Sequence, residues 1–235
     1  MEKFIYFDLD GTLIQENELL TTDTVNFLEE LTQIKYGICT NRPLADSKSL
    51  LFLKRIEYFI CEGGVVSYKQ NDDILYLHPL AMEINHKRIL ELASDFLKEN
   101  KIISSIFRQN KSRIYTSTLT FDTYVDLKRI GNFIINNYPL YNYDFVIIGQ
   151  CKICFTIKGI SKEYMINAIS KENYNYFLIS DDEPKINDHF SSKPNYISVN
   201  PSNCAYNERC LYVSRKDSGV RIRDAIEFVI NFKLI

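Results

Sequence analysis

Asp8 and Asp10 stand two residues apart at the exit of the apolar, aromatic-rich run Lys3-Phe4-Ile5-Tyr6-Phe7, and Gly11-Thr12-Leu13 follows them directly. A run of that composition predicts a buried strand, and side chains two apart leave an extended chain on the same side. Two carboxylates placed so close need a cation between them. The Gly-Thr step adds a tight turn whose backbone N–H groups and hydroxyl can hold an anion. A carboxylate pair, a metal and an anion cradle are together the ingredients of phosphoryl chemistry through an aspartyl-phosphate.

Asp-x-Asp-Gly-Thr-Leu at the end of a first strand resembles motif I of the haloacid dehalogenase (HAD) superfamily of phosphatases and phosphomutases. The resemblance implies that Asp8 is the nucleophile that attacks phosphorus. Asp10 is then an acid for the leaving alkoxide and a base for the water that opens the intermediate. The resemblance also implies Mg2+, held by a carboxylate oxygen of Asp8 and the backbone carbonyl of Asp10. An acid at position 10 argues against a dehalogenase, because dehalogenases of the superfamily typically lack it.

The elements that must position these groups alternate. Thr22–Leu31 has apolar residues at helical spacing behind a capping threonine, and Tyr36–Thr40 predicts a strand. Pro43 suits the first turn of a helix running to about Arg55, and Tyr58–Cys61 predicts a third strand. Strand, helix, strand, helix, strand argues a parallel sheet with right-handed crossovers. The pattern then changes to a hairpin, Val65–Tyr68 with Ile74–His78. An αββαββ run follows: helix Asn85–Asn100, strands Ile102–Arg108 and Arg113–Thr120, helix Thr123–Tyr138, strands Asp144–Gly149 and Lys152–Lys158. The first scheme returns with helix Ser161–Lys171, strands Tyr176–Ser180, Tyr196–Val199 and Leu211–Val213, and a helix from Gly219 to Asn231. An insert of this kind resembles the cap of the type IIB branch of the superfamily, which includes sugar-phosphate phosphatases and phosphomannomutases. The expected fold is therefore α/β: a Rossmann-like parallel-sheet core, residues 1–80 and 159–235, with an inserted αββαββ cap, residues 81–158.

On that frame the resemblance assigns further residues. Thr40 matches motif II, its hydroxyl holding a phosphoryl oxygen together with the Asn41 N–H. Gly11 and Thr12 complete the phosphate cradle. Arg42 is a contact to the residues that surround the site, a substrate contact, or a solvated arginine at a helix start. Lys162, within Lys158-Gly159-Ile160-Ser161-Lys162, is similar to motif III: Ser161 caps the helix while Lys162 reaches back toward phosphate and Asp8, with Lys158 as the other candidate. Motif IV departs from the usual Gly-Asp-x-x-Asn-Asp and reads Ser180-Asp181-Asp182-Glu183-Pro184-Lys185-Ile186-Asn187-Asp188. Asp181 is the expected metal ligand. Either Asp182 or Asn187-Asp188 supplies the second acid. Cys61-Glu62-Gly63-Gly64 resembles the Glu-Asn-Gly-Gly that precedes the cap. Val199-Asn200-Pro201 and Asp217-Ser218-Gly219-Val220 resemble the C-terminal signature, with Asn200 near the site. In the insert, Arg108, Lys111 and Arg113 cluster at a predicted hairpin tip and suit a second anionic group on the substrate.

Composition bounds the partners. The chain has 235 residues, 46% hydrophobic and 25% charged, enough for a core plus an insert. A net charge of -2 offers no basic field for nucleic acid, and no apolar run is long enough to span a bilayer. The absence of a signal peptide before the first strand and the scattering of six cysteines point to a reducing cytoplasm. Cys151 and Cys154 have CxxC spacing but sit in the apolar run Phe145–Ile157, which predicts core or strand cysteines and not zinc ligands. His78, His86 and His189 are dispersed and carry no catalytic assignment.

The expected function is a Mg2+-dependent phosphatase acting on a small phosphorylated metabolite, foremost a sugar phosphate. A phosphomutase with the same motifs is the nearest alternative, and a binding module that has lost turnover is the alternative from another class. The chain is expected to act as a monomer or homodimer.

Overall fold

A computed structural model describes residues 2–14, 20–102, 106–138, 143–148, 150–169, 174–181, 196–200, 211–214 and 221–232. The chain divides into two compact units, Met1–Leu77 with Ser161–Ile235, and His78–Ile160.

In the first unit, β1 (Glu2–Phe7) lies between β2 (Lys35–Cys39) and β10 (Tyr174–Ser180), parallel to both. Beyond β2 come β3 (Ile56–Cys61), then β4 (Val66–Lys69) and β5 (Ile74–Leu77), which turn antiparallel. Beyond β10 lie β11 (Tyr196–Ser198) and β12 (Tyr212–Val213), both parallel. The eight strands thus run β12-β11-β10-β1-β2-β3-β4-β5.

Phe4, Ile5, Tyr6 and Phe7 are all buried, as a central strand covered on both faces requires. Phe4 and Tyr6 join Cys39, Tyr58, Ile60 and Leu178 in a cluster with Met165 and Ile166 of α5 (Lys162–Ile169). On the opposite face Phe7 meets the ring of Tyr36, whose hydroxyl donates to the Leu28 carbonyl of α1 (Thr22–Glu30). There Phe177 also meets Phe232, just past α6 (Arg221–Asn231). Each such aromatic side chain contributes about 2–3 kcal/mol by leaving water. Helix α1 starts where Thr21 caps it, its hydroxyl accepting from the Thr24 N–H at 3.2 Å.

The helix expected from Pro43 to about Arg55 is much shorter. It consists of α2 (Leu44–Ser47) and a 3-10 turn, Lys48–Leu50. Ser47 Oγ bonds the Pro43 carbonyl and Ser49 Oγ the Asp46 carbonyl, the local competition by which serine weakens a helix. Leu51 and Leu53 then make i→i−3 bonds, which tighten the chain and bury Leu50 and Leu53.

The second unit has the predicted order: α3 (His86–Glu99), β6 (Phe107–Gln109), β7 (Ser117–Phe121), α4 (Leu127–Asn137), β8 (Tyr143–Ile148) and β9 (Lys152–Ile157). Its strands form an antiparallel sheet, β6-β7-β9-β8. The helices pack through Phe96 and Phe133, rings 5.5 Å apart. Strand β7 begins later than the pattern predicts, because Arg113 to Thr116 are taken up by a polar turn. The Arg113 carbonyl bonds His86 Nε2 at 2.7 Å, and its guanidinium donates to Thr116 Oγ1 at 2.8 Å. Cys154 is buried in β9, whereas Cys151 is exposed in the turn before it and is not a strand cysteine; both are free thiols. Among the described residues no helix is long and apolar enough to cross a membrane.

Candidate active site

The chain leaves β1 toward β2 and β3 on one side and returns to β10, β11 and β12 on the other. The reversal lies between β1 and β10, and open α/β sheets bind ligands beyond the carboxyl ends of their strands at that point. Asp8 follows β1, Thr40 follows β2 and Asp181 follows β10, so all three stand at this end of the sheet.

Asp8 extends the Phe4–Tyr6 alternation and therefore faces the side covered by α5, whose first residue is Lys162. Lys162 Nζ lies 3.1 Å from Asp8 Oδ1, with the two side chains 1% and 6% exposed. Ser161 caps the helix by accepting from the Tyr164 N–H at 3.0 Å, which sets Lys162 in the first turn. A cation there opposes the helix dipole, and Asp8 offsets that cost. Gly64 brings this helix end close: it sits at φ +103°, and a Cβ on it would lie 2.3 Å from the Ser161 carbonyl oxygen. On the other side of Asp8, Ser180 Oγ donates to Oδ2 at 3.4 Å.

Asp10 is held differently. Arg42 Nε bonds both its oxygens, at 3.1 and 3.0 Å, and a terminal guanidinium nitrogen approaches Oδ1 at 2.5 Å. That hydrogen bond is the main reason the guanidinium is held even more firmly protonated than usual. The backbone beneath is pinned: the Arg42 N–H donates to Thr40 Oγ1 at 3.1 Å, and the Arg42 carbonyl accepts from Glu62 N–H at 2.9 Å. Thr40 is fully buried, and its carbonyl accepts from the Gly63 N–H at 3.2 Å. Asn41 is half-buried beside it, its side-chain oxygen close to Gly63.

Asp181 and Thr12 lock the loops after β10 and β1 together. Thr12 Oγ1 donates to Asp181 Oδ1 at 3.0 Å and accepts from the Asp181 N–H at 2.9 Å. Gly11 adopts φ +77°, and a Cβ there would fall 2.1 Å from Asp181 Oδ2, so only glycine admits the carboxylate. The loop closes on itself through Gly11 N–H to Ile14 O and Ile14 N–H to Leu9 O.

Asp182 and Asn187-Asp188 lie outside the described residues, as does Asp217–Val220. Among the described residues no three Asp, Glu, His or Cys side chains form a metal cluster. Asn200 stands in a turn after β11, its N–H donating to Ser198 Oγ at 3.1 Å. In the second unit Arg108 and Lys111 are exposed. Arg113 is not the third member of that cluster: it is 8% exposed and turned onto Thr116. Lys158 is exposed as well, whereas Lys162 is the lysine on Asp8. Sequence reasoning misses Ser180, where a serine reads only as the loss of a glycine, and the Arg42–Asp10 pair, whose members are 32 residues apart.

Asp8, Lys162, Thr40 and Asp181 thus stand at the switch point of a parallel sheet, in a chain that also carries an αββαββ unit. Residues 5–205 match the family model of haloacid dehalogenase-like hydrolases, and the chain belongs to that family. Solved structures agree in fold. A haloacid dehalogenase-like hydrolase from Bacteroides thetaiotaomicron is 10% identical, covering 97% of this chain and 100% of its own, with a TM-score of 0.69. A protein from Thermotoga maritima is 17% identical over 99% of both chains, TM-score 0.65. A sugar phosphatase of HAD subclass IIB is 15% identical over 97% of both chains, TM-score 0.61. No curated protein matches the chain.

Proposed function

We propose that this chain is a Mg2+-dependent phosphatase that hydrolyses a small phosphorylated metabolite, foremost a sugar phosphate, through an aspartyl-phosphate at Asp8. The observation that carries the proposal is the buried pair of Asp8 and Lys162 at 3.1 Å on the sheet's switch point. A cation alongside a carboxylate lets it approach a phosphoryl group, because the repulsion between two anions is screened. Family membership and the subclass IIB sugar phosphatase among the structural neighbours support the substrate class.

The donor set fits magnesium. Asp8 and Asp181 would supply carboxylate oxygens and the Asp10 carbonyl a third hard donor, with Asp182 or Asn187-Asp188 as a further acid. Magnesium is usually held by one or two carboxylates and keeps several waters, so a three-carboxylate cluster is not required. Among the described residues the carboxylates of Asp8, Asp10 and Asp181 stand here with the cations Lys162 and Arg42. A phosphate dianion would add negative charge there, and a bound divalent ion supplies positive charge to offset it.

In the first half-reaction an Asp8 oxygen forms a bond to phosphorus as the bond to the leaving oxygen breaks. Asp10 gives that oxygen its proton. Thr40, the Asn41 N–H and Lys162 hold the transferring oxygens, with the Gly11–Thr12 turn beneath them. In the second half Asp10 takes a proton from water, whose oxygen displaces Asp8 from phosphorus. Residues 1–80 and 159–235 form the catalytic core in this reading, and 81–158 the cap. Among the described residues Cys39, Cys61, Cys151 and Cys154 are free thiols, which suits a reducing compartment such as the cytoplasm.

Phosphate release from a panel of hexose phosphates and phosphorylated acids tests the proposal, with Mg2+, with chelator and with Asp8→Asn. Release that needs Mg2+ and Asp8, without a bisphosphate activator, is the expected result. A requirement for bisphosphate would assign a mutase instead, and turnover by Asp8→Asn would overturn the mechanism.

A further inference from the structure

We propose that Arg42 is the positioning residue of the acid/base Asp10, fixing the direction of its carboxylate, and that it does not contact substrate; this rests on the phosphatase reading above. Three contacts between the two side chains engage both oxygens of Asp10. A planar guanidinium that grips both oxygens fixes the carboxylate in orientation as well as distance. The grip is transmitted to a rigid base, because the Arg42 backbone is bonded on one side to Thr40 Oγ1 and on the other to Glu62 N–H. Pro43 follows at φ -66° and removes another freedom.

Stability alone does not account for the pair. Its side chains are 34% and 49% exposed, and an ion pair so open to solvent adds little to folding. Asp10 sits in a turn two residues beyond the nucleophile, on a side chain free to rotate about two bonds. A general acid acts only when its proton meets the leaving oxygen, so orientation is worth rate. Engagement by Asp10 also occupies the guanidinium face that a substrate anion would need.

Leaving-group basicity separates positioning from binding. A hexose phosphate leaves as a basic alkoxide and needs the acid, whereas p-nitrophenyl phosphate leaves as a stable phenolate and needs it little. The experiment measures kcat and KM of wild type, Arg42→Ala, Arg42→Lys and Asp10→Asn on both esters with saturating Mg2+, using the best hexose phosphate of the panel. Arg42→Ala is expected to lower kcat on the hexose phosphate by about 10- to 100-fold, a fraction of the full effect of an acid, with the loss on p-nitrophenyl phosphate about threefold at most. KM should stay within about twofold, as for a residue that touches no substrate. Asp10→Asn should show the same pattern more strongly, and Arg42→Lys should restore part of the rate. Equal losses on both esters, or a loss confined to KM, would overturn the proposal while leaving the phosphatase reading intact. Wild type inactive on both esters would overturn that reading and the proposal with it.

Discussion

Replacing Lys162 by methionine keeps the stem of the side chain and removes its charge, leaving Asp8 in a site where it is only 6% exposed. At that burial solvent screens the pair little, and breaking a buried ion pair on one side costs about 3–5 kcal/mol. For a chain of this size each kcal/mol lowers the thermal midpoint by about 2–4 °C, so Lys162→Met should melt about 6–20 °C below wild type in chelator. Asp8→Asn with Lys162→Met removes both charges and should recover much of the loss, a coupling of about 0.5–3 kcal/mol. Magnesium should narrow the deficit of the single variant, because a cation on Asp8 replaces the missing ammonium. Thermal melts and urea unfolding of the four proteins, with chelator and with Mg2+, measure the melting shift, the coupling and the effect of magnesium. A Lys162→Met protein within about 1 kcal/mol of wild type, or strictly additive variants, would refute the electrostatic account of the site.

Three further outcomes follow from named contacts. Gly64→Ala places a methyl 2.3 Å from the Ser161 carbonyl at φ +103°; it should cost about 1–3 kcal/mol and lower phosphate release by displacing Lys162, measured by melting and turnover together. Thr12→Val breaks the reciprocal bonds to Asp181 and should weaken Mg2+ affinity about 10- to 100-fold in a titration, with the fold retained. His78 is kept neutral by burial, which lowers its pKa from 6.5, and its Nδ1 accepts the Leu80 N–H at 3.1 Å. The unfolded chain therefore binds this proton more readily. The contribution of His78 to stability is fully present above pH 6.5 and is lost as pH falls through the lowered value, a loss that His78→Gln should abolish in melts across that range.

Local patterns make the parallel sheet and the αββαββ insert legible from residue types and spacing alone. The run Phe4–Phe7 is apolar at every position because β1 is covered on both faces, and the turn after it needs Gly11 for a positive φ. Ser161 followed by Lys162 signals a capped helix with a cation in its first turn. What escapes is long-range. Nothing near Arg42 says that its partner is Asp10, and nothing near Gly64 says that it faces the carbonyl of Ser161. Arg113 has the local signature of a solvated hairpin tip; its guanidinium donates to Thr116 within the turn, and the bond between its carbonyl and His86 comes from 27 residues away, when α3 meets that turn. The helix after Pro43 falls short of its apolar spacing because its serines bond their own backbone, a competition that such spacing does not report.

The central claim is that the phosphoryl group passes through Asp8. Wild-type protein mixed with a hexose phosphate and Mg2+, quenched in acid during turnover, digested and read by mass spectrometry tests it most directly. A phosphoryl group on the peptide containing Asp8, absent from Asp8→Asn, is the predicted result. Phosphate release at the wild-type rate with the label on another residue, or surviving in Asp8→Asn, would contradict it.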